Sequence, residues 1–167
     1  MSVSGYPLDR TLDNLVNMRD VDTMVVIEAV KFSEARWIGA AGKGGFGGDA
    51  PGAEIVTPLD ASVSRVLRGT ATEGDSIRMV LSSGRIGDYE VVASTDVAPQ
   101  SEDIAKYSRL LVAGETITSK VFGQILNPFF VYGIDADGRA TSLMESASEQ
   151  EAVFAMAELQ ERLKLAR

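Results

Sequence analysis

The chain has 167 residues, 45% hydrophobic and 24% charged, with a formal net charge of −8 and neither His nor Cys. That length and composition suit one folded domain and argue against wholesale disorder. The missing His and Cys exclude a disulfide scaffold, a thiolate metal site and any Ser-His-Asp or Cys-His nucleophile, and the negative charge opposes binding to nucleic acid or anionic lipid.

The N-terminus, MSVSGYPLDRTLDNL, has neither the basic region nor the apolar core of a signal peptide. No apolar run approaches the ~20 residues that span a bilayer. The expectation is a protein without membrane insertion, cytoplasmic or exported after loss of a signal segment. Residues 9–19 predict a short helix, with Leu12, Leu15 and Val16 at helical spacing. Thr23 to Phe32 (TMVVIEAVKF) predicts a strand, buried on both faces at its start because apolar residues fill both alternating positions. Residues 38–52 carry seven glycines, which disfavour helix and strand alike and predict a long mobile loop.

Residues 54–68 predict a strand interrupted at Pro58, residues 69–74 a turn, and 75–81 a cleaner strand. Residues 82–88 predict a turn, 89–93 a short strand, and 94–105 a polar loop. Residues 108–113 predict a strand ending at Gly114, and Asn127-Pro128 opens the next, over 129–134. Asp135-Ala-Asp137-Gly138 is a hairpin signal, followed by a return strand over 140–145. The last element is an amphipathic helix over 148–166, with a Ser148/Glu151 capping box and an apolar face of Ala152, Ala155, Met156, Leu159, Leu163 and Ala166. The fold class expected is mainly β: a small antiparallel, OB-like β-barrel over 23–145 with a short N-terminal and a C-terminal helix, in one domain.

Asp22-Thr-Met-Val-Val-Ile, Val66-Leu67-Arg68-Gly69, Gly74-Asp75-Ser76-Ile77 with Ser83-Gly84, Gly114-Glu115, and the aromatic hairpin Phe130-Val-Tyr132-Gly133 closed by Asp135-Ala-Asp137-Gly138 follow one another along most of the chain. In this series the chain resembles small uncharacterised β-barrel proteins of actinobacteria and related bacteria, which are often exported. The resemblance implies an OB-like or related barrel and no particular chemistry.

The candidate site residues come from three places. The glycine run holds Lys43 and Phe46 and follows Trp37, the single tryptophan. It lacks the Gly-Lys-Ser/Thr order and the following helix of a phosphate loop, so a tip ordered by a partner is the favoured reading. Arg65, Arg68, Arg78 and Arg85 lie close in sequence. Either they converge on a carboxylate or phosphate ligand, or they are solvated and pair with Glu73, Asp75 or Asp88. Asp135, Asp137 and Gly138 begin like a calcium loop, but position 146 is Ser where that loop needs Glu, which favours a plain hairpin. Phe129, Phe130 and Tyr132 are read as core rather than as a stacking platform. No cofactor, metal or catalytic residue is assigned. The favoured function is a non-enzymatic binding domain for a protein partner. The rivals are an enzyme using carboxylate, Tyr or Lys groups in the barrel mouth and a single-stranded nucleic-acid-binding domain.

Overall fold

The fold is taken from a computed structural model, which describes residues 10–39, 53–92, 98–144 and 153–165. Helix α1 (Leu12–Asn17) is shorter than expected. Thr11 caps it, its hydroxyl accepting the Asn14 N–H at 3.3 Å, and Leu15 and Val16 are buried beneath it. Strand β1 (Thr23–Phe32) matches its predicted bounds and is buried from Thr23 to Ile27. Met24 and Val26 enter one apolar cluster and Val25 and Ile27 a second, so β1 lies between two cores. That is why its sequence carries no polar alternation there.

Strands β2 (Arg36–Gly39) and β3 (Ala53–Arg68) continue the antiparallel pairing begun by β1. Phe32 stands opposite Leu59 and Arg36 opposite Val56, so β1 and β2 together form one arm of a long hairpin. Pro58 does not interrupt β3. Its carbonyl accepts the Ser33 N–H at 2.8 Å, at the break between β1 and β2. In an extended strand the nitrogen faces the same way, so the missing N–H costs no ladder bond there. Ile38 and Gly39, expected in the glycine loop, pair with Glu54 and Ala53; residues 40–52 lie outside the described residues.

Strand β4 (Ser76–Leu81) pairs with β3, and β5 (Gly84–Ile86), where a turn was expected, pairs with β6 (Tyr89–Val91), within the expected short strand, in a small separate hairpin. Helix α2 (Ser101–Ala105) stands within the expected polar loop and is anchored by buried Ile104. A five-residue helix has too few positions to show a period, so only its tertiary anchor reveals it. Strand β7 (Arg109–Ser119) does not stop at Gly114, and β8 (Gly123–Ile134) begins before Asn127. Their pairing shifts register between Ala113 and Gly114, opposite Pro128. The bulge absorbs both residues that had read as strand ends.

Asp135 turns β8 into β9 (Arg139–Ser142) as expected, its Oδ1 accepting the backbone N–H of Asp137 and of Arg139, each at 2.9 Å. The C-terminal helix differs from expectation. Residues 153–155 form strand β10 (Val153–Ala155), paired with β9, and α3 starts only at Met156 and runs to Leu165. Ser148 and Glu151, the expected capping box, lie outside the described residues.

The main sheet runs in the order β10-β9-β8-β7-β1-β3, with β2 and β4 both on β3, and all its pairings are antiparallel. The expected closed barrel is not found: among the described residues no strand pairing joins β4 to β8. α1, α3 and β10 cover one face, where Phe130, Tyr132, Phe154 and Leu159 are buried. Tyr132 packs edge-on to Phe154 at 4.9 Å, and its hydroxyl donates to the Arg10 carbonyl at 2.8 Å. The aromatic strand thus fills the core, with Phe129 half-buried beside it. No helix among the described residues is long and apolar enough to cross a membrane.

Ala29 has a positive φ of 54° within β1, where the pairing with β3 skips between Glu28 and Lys31. The left-handed region is unfavourable for any residue with a Cβ and worst for a β-branched one. Ala29→Val is therefore expected to destabilise by roughly 1–3 kcal/mol, although valine is the better strand former. Urea melts of the two proteins check this, and an unchanged or raised midpoint would contradict the strain.

Candidate functional site

Trp37 stands in β2 opposite Ile55, in the neck of the long hairpin rather than in a loop. Its ring meets Tyr89 of β6 edge-to-face at 5.5 Å. On the same side of the neck, Gly84 fits against Ala35, Ile55 and Thr57, so closely that an added Cβ would lie 2.6 Å from the Thr57 hydroxyl. That hydroxyl donates to the Ser83 carbonyl at 2.6 Å and fixes the β5–β6 hairpin to the neck.

Arg36, one residue earlier, points to the opposite face of β2. Its guanidinium lies 5.1 Å above the ring of Phe122, in the turn of the β7–β8 arm. The Ser119 hydroxyl accepts the N–H of Val121 and of Phe122, at 3.2 and 3.1 Å, which holds that turn. The hairpin neck is thus clasped on both faces at one end of the sheet. There Tyr89, Val91 and Val121 are 48%, 41% and 51% exposed, which makes apolar surface at this end accessible rather than incidental core. The sequence located Trp37 but missed Tyr89 and Phe122, because their contacts span many residues and leave no local pattern. Lys43 and Phe46 lie outside the described residues.

The arginines do not converge. Arg78 makes a two-pronged ion pair with Asp60, its cross-strand neighbour, at 2.8 and 2.9 Å. Arg68 donates to the carbonyls of Val16 and Val21, at 2.9 and 3.2 Å, so it serves the end of α1. Arg65 faces the side-chain amide of Gln160 on α3, whose oxygen accepts from it at 2.6 Å once turned toward it. Arg85 donates to the Gly87 carbonyl at 3.2 Å. Asp75, an expected arginine partner, instead accepts the Thr72 N–H at 2.8 Å.

The hydrogen bond from Arg78 holds the Asp60 carboxyl below its ordinary value of 3.8, against the opposing effect of burial. The same bond raises Arg78, which stays cationic throughout the acid range. A lowered carboxyl pKa gives stability that is present above the unfolded value and lost as pH falls through the folded one. Both side chains are more than a third exposed, at 39% and 37%, so water screens the pair. Arg78→Gln is expected to cost under about 1 kcal/mol at neutral pH, with the difference vanishing as pH falls below the ordinary carboxylate range. Urea titrations of both proteins across that range would show it; a difference that grows with acid would reverse the assignment.

A cavity of about 270 Å3 lies where β4 comes alongside the β7–β8 arm, floored by Val63, Ile77 and Leu126 and rimmed by Thr23, Thr116 and Gln124. The Thr23 and Thr116 hydroxyls are 3.0 Å apart and hydrogen-bonded. Its charged lining residues, Arg78 and Asp75, already have the partners described above. Among the described residues no cluster of three or more carboxylates is arranged to hold a metal. Comparison with protein-family models, with curated proteins and with solved structures finds no match to this chain.

Proposed function

We propose that the chain is a non-enzymatic binding domain that contacts a protein partner through the clasped end of its long hairpin. The observation that carries this reading is the meeting of Arg36, Trp37, Tyr89 and Phe122 there, beside exposed Val91 and Val121. Tryptophan, tyrosine and arginine are the residues on which interface energy concentrates, because they bury large area with few torsions to order. The approach of β4 to β8 supports reading the curved sheet as an OB-like barrel. The engagement of Arg68 and Arg78 within the fold speaks against a nucleic-acid platform. The Asp60 shift speaks for a structural ion pair, being opposite to the raised pKa that suits a carboxylic general acid.

The test compares the immobilised chain with a Tyr89→Ser/Val121→Ser variant, both changes at exposed positions, in a bacterial lysate. The expected result is a protein that binds the wild type and, once purified, binds the variant at least tenfold more weakly, about 1.4 kcal/mol. A wild type that retains nothing the variant does not would overturn the proposal.

A further inference from the structure

A second cavity, of about 290 Å3, opens at the other face of the sheet, between α3, the middle of β1 and the ends of β3, β7 and β8. Its floor is apolar, from Val26, Ile134 and Met156, and its rim carries Glu28, Arg65 and Arg109. Strand register places these charges. Arg65 stands opposite Val26, and Arg109 stands directly opposite Glu28. Directly opposed residues have their Cβ atoms about 4.5–5.5 Å apart, close enough for Glu and Arg to pair.

The pairing of Asp60 with Arg78 shows what such opposition does elsewhere in this fold: the shorter acid closes a two-pronged ion pair at 2.8 and 2.9 Å. Glu28 and Arg109 form no ion pair with each other, nor with any other described residue. Both instead line the cavity. A carboxylate and two guanidinium groups around an apolar floor match one chemical class. Its carboxylate would meet Arg109 and the remaining N–H groups of Arg65, two of whose donors face the Gln160 oxygen on the same rim, its ammonium Glu28, and its side chain the floor.

We propose that this cleft binds a free α-amino acid with an aliphatic side chain. The site is separate from the partner-binding end and does not rest on that reading. The volume, just below the roughly 300 Å3 at which drug-sized pockets begin, suits a ligand of this size.

Isothermal titration of the full chain with L-leucine tests the proposal, alongside 4-methylpentanoate, which lacks the ammonium, and 3-methylbutylamine, which lacks the carboxylate. The expected result is saturable leucine binding, at least tenfold weaker binding of each analogue, and a tenfold loss of leucine affinity in Arg109→Gln and in Glu28→Gln. Both substitutions are at exposed positions, and unchanged melting curves would separate lost binding from lost fold. No saturable binding up to about 10 mM leucine, well above the millimolar level that ~4 kcal/mol of affinity gives, would overturn it. So would leucine binding that survives both substitutions, or equal binding of leucine and 4-methylpentanoate.

Discussion

Leu159→Asp is expected to destabilise the protein by roughly 4 kcal/mol or more. Truncating a buried leucine already costs about 2–5 kcal/mol, and an unpaired carboxylate in its place adds its desolvation. Leu159 is fully buried on α3, packed in the cluster that holds Leu15, Tyr132 and Phe154. An ion pair between Arg162 and Asp13 also ties α3 to α1. Thermal and urea melts would read the effect. Leu165→Asp, on the same helix at 80% exposure, serves as the control and should change little. If both variants melt like the wild type, α3 does not pack on the sheet.

The second large effect is expected at Gly114. A Cβ placed there would lie 2.0 Å from the Asn127 carbonyl oxygen and 2.9 Å from the Pro128 Cα. Both obstacles are backbone, held by the bulge that bends the β7–β8 arm, so no side-chain rotation relieves them. Gly114→Ala should therefore reach or exceed the top of the ~1–3 kcal/mol range for overpacking. Gly133 provides the comparison. A Cβ there would meet the Tyr107 ring at 2.4 Å, but that ring can swing aside. Gly133→Ala should accordingly cost less. Equal midpoints in urea for the two variants would mean that the arm shifts freely and that the bulge is not rigid.

Much of the architecture was legible because it is written in short-range patterns. The β1 bounds, the Asp135–Gly138 turn and the Leu159 face each depend on residues within a few positions of one another. The errors fall where a local signal met a tertiary exception. Pro58 read as an interruption and Gly114 as a strand end, yet each sits where the ladder is already broken or bulged. The segment 153–155 reads as helix, yet it pairs with β9, because a strand edge was there to receive it.

The same division holds for the candidate sites. Trp37 was found from the sequence because a lone tryptophan beside a glycine run is conspicuous. Its contact with Tyr89 was not, because nothing local records it. The arginines lie close in sequence, but the strand pleat and the twist of the long hairpin send Arg65 toward α3, Arg68 toward α1 and Arg78 to Asp60.

By itself, then, the sequence determined a mainly β chain with two terminal helices, a buried β1 and no His or Cys chemistry, since composition and periodicity are properties of the chain alone. Only the tertiary structure decided which charges pair, which aromatics meet and where cavities open. Those outcomes depend on register and sheet curvature, and register is fixed by contacts between residues far apart in sequence.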